Sequence, residues 1–306
     1  MPTLQQFRYL VAIADTLHFR RAAERAHISQ PTLSGQLREL EQKLGVQLVE
    51  RSRARVVLTP VGKEIAARAR LVLREVQGIV DLAQHGQGLS GGTLRVGLLQ
   101  TLGPYLLPHI LADLQRRHAG LKLHLREGRP DALLQGLDEG SFDFLFFPLP
   151  VKAAELEIQP LFREPLLVVV PRNHPLASAE RVTPADLKGE TVMTLERGHR
   201  LHSQVSELCA LYGAELALDY EGTSLDTLRQ MVDLGMGLAL LPALYVRSEV
   251  LRDTQVVARH LAGETPARDI ALIWRRSTAR QADYHRLAAE IRSILSRQVP
   301  EVAPLA

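Results

Sequence analysis

The sequence predicts an α/β protein in two parts: an all-helical N-terminal module with one small hairpin, then a two-lobed body of alternating strands and helices. Three observations predict it. Apolar residues recur at helical spacing through the first sixty positions. A glycine-rich stretch, Gly86-Gln87-Gly88-Leu89-Ser90-Gly91-Gly92, then breaks the pattern. Beyond it, short apolar runs alternate with helical patterns, as expected of a parallel or mixed sheet covered by helices.

The elements follow in order. Phe7, Leu10, Val11 and Ala14 mark the buried face of a first helix, and Phe19, Ala22, Ala23 and Ala26 that of a second. Ser29 is placed to cap a third helix, with Pro31 in its first turn where a missing N–H costs nothing. Leu33, Leu37, Leu40 and Leu44 carry that helix to Gly45, a C-terminal stop. Two β-prone runs, 46–50 and 56–58, flank the basic tip Arg51-Ser52-Arg53-Ala54-Arg55 and predict a hairpin. Over 61–84, Ile65, Ala69, Val72, Val76, Ile79 and Ala83 alternate spacings of four and three. That seam suits either a helix paired with another chain or an amphipathic helix packed on its own protein. After the glycine stretch, strands are expected at 93–98, 121–126, 142–147, 166–171, 191–195, 216–220, 237–241 and 270–274. Helices are expected at 102–118, 131–137, from about Leu201, at 224–234 and at 280–297. The last strand and helix are expected to rejoin the sheet begun at Thr93, so that two crossings, near Glu164-Pro165 and Pro266–Arg268, join the lobes. A cleft at the strand ends between two lobes is a ligand-binding architecture.

Composition narrows the class. No apolar run approaches the roughly 18 residues that a membrane helix needs. The first residues lack a basic segment leading into an apolar one, so no secretory leader is expected. Cys209 is the single cysteine, which excludes an internal disulfide and fits a cytoplasmic location. Residues 1–90 carry 13 Lys/Arg against 8 Asp/Glu, while the rest carries 24 against 26. A basic first third on a slightly acidic body fits a polyanion-binding module, although charge alone decides nothing.

A short helix, a tight turn and a second capped helix can place side chains in the major groove of DNA. The turn lies around His27-Ile28-Ser29, and the recognition helix runs over 29–37. Candidate DNA contacts are Arg20, Ser29, Gln30, Pro31, Thr32, Ser34, Gln36 and Arg38, with Arg51, Arg53 and Arg55 of the hairpin reaching phosphate or minor groove. Gln and Arg can bond base edges in pairs, and Ser and Thr can contact edges or phosphates.

The segments from Phe19 through Ile28-Ser29-Gln30-Pro31-Thr32-Leu33-Ser34, then Leu44-Gly45-Val46-Gln47-Leu48-Val49-Glu50-Arg51 and Leu58-Thr59-Pro60-Val61-Gly62, resemble the LysR-type transcriptional regulators. The resemblance implies a winged helix-turn-helix, a linker helix that forms a dimer interface, and a two-lobed effector domain similar to type 2 periplasmic binding proteins. It also implies promoter DNA, RNA polymerase and further copies of the chain, as homodimer or homotetramer, as partners. On this reading residues 1–60 are the DNA-binding domain and 61–90 the linker helix and hinge. Residues 91–306 are the effector domain, with one lobe over about 91–164 and 268–301 and the other over about 165–267.

The likeness extends to the peroxide-sensing OxyR subfamily through Leu98–Pro108, Thr194-Leu195-Glu196-Arg197-Gly198-His199, Thr223–Arg229 and Gly235–Leu244. In that subfamily one cysteine attacks peroxide and a second resolves the sulfenic acid as a disulfide. Here Arg200 follows His199 where the attacking cysteine belongs, Cys209 falls at the resolving position, and Pro130 stands in place of a threonine hydroxyl. A two-cysteine switch is excluded.

Three inputs remain open. Cys209 acts alone by oxidation, with Arg200, His199 and His202 near it in sequence. Alternatively, a cleft formed by Gln100, Thr101, His199, Arg200, Thr223 and Ser224 binds a small effector, for which Arg200 indicates an anion. In the third, this site answers to nothing. An activator of oxidative-stress genes is the expected role. No catalytic activity, cofactor or metal is expected, because the histidines lack partners at ligand spacing and no phosphate loop or nucleophile elbow appears.

Overall fold

The computed structural model describes residues 1–51, 56–85, 93–151, 154–217, 219, 222–263 and 265–305. The hairpin-tip residues Arg53 and Arg55 and the glycine-rich stretch 86–92 lie outside the described residues, as does the Arg51 side chain.

Helix α1 (Leu4–Thr16) opens on a reciprocal cap in which Thr3 and Gln6 each bond the other's backbone N–H. Helix α2 (Phe19–Arg25) and helix α3 (Gln30–Leu44) follow, then strands β1 (Val49–Arg51) and β2 (Val56–Leu58), paired antiparallel with Val49 opposite Leu58. Leu10 and Ile13 of α1, Ala22 and Ala23 of α2, and Leu33, Leu37 and Leu40 of α3 form one core with Leu48 and Val49. Helix α4 (Pro60–His85) adds Ala66 to that core and is tied to α1 by Arg70 on Asp15 at 2.7 Å. Gly62 starts this helix against the Leu48 carbonyl, at a distance that any β-carbon would violate. Farther along, Val72 is 43% exposed and Ile79 66% exposed, so among the described residues the outer part of the apolar seam is left largely uncovered.

The remaining elements are β3 (Thr93–Leu99), α5 (Gly103–Arg117), β4 (Lys122–Gly128), α6 (Pro130–Asp138), β5 (Phe144–Pro148), β6 (Leu156–Pro171), β7 (Arg181–Val182), β8 (Thr191–Met193), α7 (Arg200–Tyr212), β9 (Glu215–Leu216), α8 (Leu225–Asp233), β10 (Leu238–Pro242), α9 (Ala243–Tyr245), β11 (Val256–Leu261), β12 (Ala267–Arg275), α10 (Gln281–Gln298) and β13 (Ala303–Pro304). The chain divides into two compact units: 1–91 with 135–142, and 92–134 with 143–306.

In the second unit the sheet is mixed. Strands β4, β3 and β5 run parallel, β12 pairs antiparallel with β5, and β6 pairs antiparallel with β12. The sheet then continues through β10, β8 and β9, with β11 also on β6. Strand β6 is thus shared: its first part pairs with β12 and its last part with β10 and β11. Where the two lobes meet, Glu164 lies opposite Arg268 and Pro165 opposite Ala267. The first half of the sheet is closed by α10, where Tyr284 packs edge-on against Phe144 and Trp274 with ring centres 5.3 and 5.5 Å apart.

Two differences from the sequence reading have physical causes. The strand expected at 166–171 begins at Leu156 and runs through Pro160 and Pro165, residues that cannot donate to a sheet ladder. The sheet tolerates Pro160 at a register shift, where Ile270 pairs with Phe162 but Ala271 with Pro160. Strand β11 was not expected; Arg259 and His260 interrupt its apolar pattern, and its burial is only partial.

Candidate functional site

The turn between α2 and α3 is built from local hydrogen bonds. His27 adopts the left-handed conformation at φ 54°, and Ile28 N–H donates to the Ala23 carbonyl at 3.0 Å. Ser29 Oγ accepts from the Thr32 N–H at 3.2 Å and lies 2.8 Å from Thr32 Oγ1, so the expected cap is formed. Leu33, Leu37 and Leu40 face the core, leaving Gln30, Pro31, Thr32 and Arg38 exposed and Ser34 and Gln36 half-buried. Gln36 is engaged at both ends, accepting from Gln6 at 3.3 Å and donating to Glu39 at 3.1 Å. Lys43 sits 2.6 Å from Glu39 and, with its hydrogen bond, holds that carboxyl below its usual range. Arg20 is exposed on α2 and pairs with Glu24 at 3.1 Å. At the far end of α3, Glu41 accepts from the Leu48 and Val49 N–H groups at 2.8 and 3.1 Å, which fixes β1 to the helix.

In the second unit the six expected cleft residues differ in burial and in what they bond. Thr101 is buried and committed to Arg268, whose guanidinium donates to its hydroxyl at 3.0 Å and its carbonyl at 2.8 Å. The same guanidinium pairs with Glu164 at 2.8 Å, and Glu164 also accepts from the Leu244 N–H at 2.9 Å. This chain ties β3's end, both crossing strands and α9 together. Sequence reasoning missed it, although β alternation sets Glu164 between Phe162 and Leu166 on one buried face.

His199, 5% exposed, precedes α7, and its Nε2 has no hydrogen-bond partner among the described residues but lies 3.8 Å from Glu196. Burial pushes its pKa down, against the pull of Glu196. Arg129 holds Glu196 at 2.5 Å and the Arg197 carbonyl at 3.1 Å, crossing Gly198, whose φ of 97° disfavours any side chain. Ser224 accepts from the Thr227 N–H at 3.4 Å to cap α8, while Gln100 and Thr223 are exposed.

Cys209, expected as a lone redox-sensing thiol, is buried. It is 4% exposed, on the inner face of α7 with Leu201 and Val205, and burial pushes its thiol pKa up. Arg200 lies nine residues earlier, about 13 Å along the axis at 1.5 Å per residue. A sensing thiolate needs an accessible, electropositive setting, and burial withholds that access from Cys209.

One open cavity of about 680 Å³ lies beside α7. Of the six expected cleft residues only Arg200 lines it, together with Gln204, Glu207, Leu208 and Leu211 of the same helix and Leu149-Pro150, Arg163 and 265–269 opposite. Among the described residues no His/Cys/Asp/Glu group has the makings of a metal site, and no helix is long and apolar enough to cross a membrane.

Residues 4–63 match the bacterial regulatory helix-turn-helix protein, lysR family, and residues 87–296 match the LysR substrate binding domain. The chain is 44% identical over 292 residues to the DNA-binding transcriptional dual regulator OxyR of Escherichia coli K12, covering 95% of each. It is 42% identical over 291 residues to the hydrogen peroxide-inducible genes activator of Dickeya chrysanthemi, covering 94% of each. Among solved structures, full-length OxyR of Pseudomonas aeruginosa with a cysteine-to-aspartate change superposes at a TM-score of 0.82, with 37% identity and 98% of each chain covered.

Proposed function

The chain belongs to the LysR family of DNA-binding transcriptional regulators, similar to OxyR, and from that membership we propose that it controls peroxide-inducible or related stress genes by reading promoter DNA with α3. The observation that carries the reading is the capped helix itself. Its apolar residues are all spent on the core, which leaves Gln30, Thr32 and Arg38 to meet base edges or phosphates. Gln36 meets DNA only by giving up one of its bonds within the module, so it acts more as a brace for α3 than as a free reader. The exposed seam of α4 supports assembly with further copies of the chain, and RNA polymerase is the natural recipient of the output. A regulator with these partners works in the cytoplasm and carries out no catalysis of its own.

The input is read as a small effector, not as thiol oxidation. Burial of Cys209 supports this, as does the absence of a second cysteine. Selection of genomic fragments by the purified full chain, followed by footprinting, tests the output. Protected sites upstream of stress genes, lost in a Gln30→Ala/Arg38→Ala variant that keeps its fold, support it. Random fragment recovery overturns it.

A further inference from the structure

The cavity beside α7 has a polarity that the rest of the site does not explain. Three guanidinium groups line it, and two are already committed: Arg163 holds Asp269 through two bonds of 2.7 and 2.8 Å, and Arg268 is held by Glu164 and Thr101. Arg200 is exposed and has no hydrogen bond or ion pair among the described residues. It stands at the first position of α7, whose N-cap residue His199 supplies no side-chain cap, so the positive end of the helix dipole adds to its field.

Arg200, Gln204, Glu207, Leu208 and Leu211 fall on one stripe of the helix, opposite the Leu201, Val205 and Cys209 face. Leu211 is 73% exposed on that stripe, an apolar wall left facing the cavity with Leu208, Leu149 and Pro150. Glu207, also exposed, lies about 10 Å along the axis from Arg200 at 1.5 Å per residue. The volume falls within the roughly 300–1,000 Å³ of small-molecule sites.

We propose that this cavity binds an extended monocarboxylic acid, with its carboxylate on Arg200 and its apolar body on Leu208, Leu211 and Pro150. Glu207 repels a second carboxylate at the far end and accepts an apolar or cationic one. The inference rests on the effector reading above, but it moves the ligand away from Thr101, His199, Thr223 and Ser224, none of which line the cavity.

Calorimetric titration of the full chain with octanoate, ω-aminooctanoate and octanedioate tests it. Octanoate and ω-aminooctanoate bind one site saturably, and octanedioate binds at least about tenfold more weakly. Arg200→Gln weakens octanoate by about tenfold or more while Arg200→Lys keeps part of the affinity. Leu211→Glu abolishes octanoate binding, and Glu207→Gln brings octanedioate up to octanoate. All three positions are exposed, so the variants keep the unfolding midpoint of the parent. No saturable binding of any of the three acids, or octanoate affinity unchanged in Arg200→Gln, overturns the proposal. DNA binding measured on the same preparations without ligand separates the two readings: intact DNA binding with no acid bound overturns the cavity alone.

Discussion

At Cys209 and His199, burial decides the chemistry. The Cys209 thiol has its pKa raised by burial, so at neutral pH the reactive thiolate is scarcer than in a free cysteine. Intact-mass measurement after mild peroxide should find the native protein without added oxygen at Cys209, and alkylation should require unfolding. A sulfenic adduct under native conditions would restore the lone-cysteine sensor. His199 carries the opposite pressure, since burial lowers its pKa in the folded state. The unfolded chain then binds more protons over the window below the ordinary value of 6.5, so stability is full above that value and declines as pH falls through the window. Thermal unfolding across this range should show the decline, and His199→Gln should flatten it; an unchanged profile in the variant would contradict the assignment. Both residues were visible in the sequence, and the helical run with Leu208 and Leu211 already allowed a buried Cys209, but the burial of His199 was not legible. Cys209 sits between Leu208 and Leu211 in sequence, yet the buried stripe runs Leu201, Val205, Cys209, and only packing reveals which side of α7 is covered.

Among elements, the helices of the first unit were legible because cap, apolar stripe and stop residue agree: Ser29, Leu33-Leu37-Leu40 and Gly45 all do what their types favour. Strand β6 was half legible, because its prolines obey the sheet only through a register shift that no local pattern announces. The crossing of β6 and β12 holds the least legible feature, the buried Glu164–Arg268 pair. Each partner looks like an ordinary surface charge in sequence, and only the pairing of distant strands brings them together. Arg268→Met strands the Glu164 carboxylate in the interior and should cost about 3–5 kcal/mol in denaturant unfolding. Replacing both residues by apolar ones of similar volume should recover much of that loss. A single variant within about 0.5 kcal/mol of the parent, the range of an ordinary surface change, would show that the pair does not clamp the two strands.

For the whole molecule, regular alternation of strands and helices made the mixed sheet of the body legible, while the location of the open cavity was not, because it depends on which guanidinium groups are already paired. The uncovered seam of α4 belongs to this scale as well. Ile79→Glu should shift sedimentation toward smaller species without lowering the unfolding midpoint, and an unchanged distribution would remove α4 from the assembly. Family membership places DNA at the centre of the account, and the most direct measurement is operator affinity of the full chain as a function of salt. Log K should fall linearly with log salt concentration, with a slope of roughly −0.9 for each phosphate neutralised. The slope should become less negative by about one per protomer contact in Arg38→Ala if that residue meets phosphate. Affinity that ignores salt, or that is the same for operator and random duplex at every salt concentration, would contradict it.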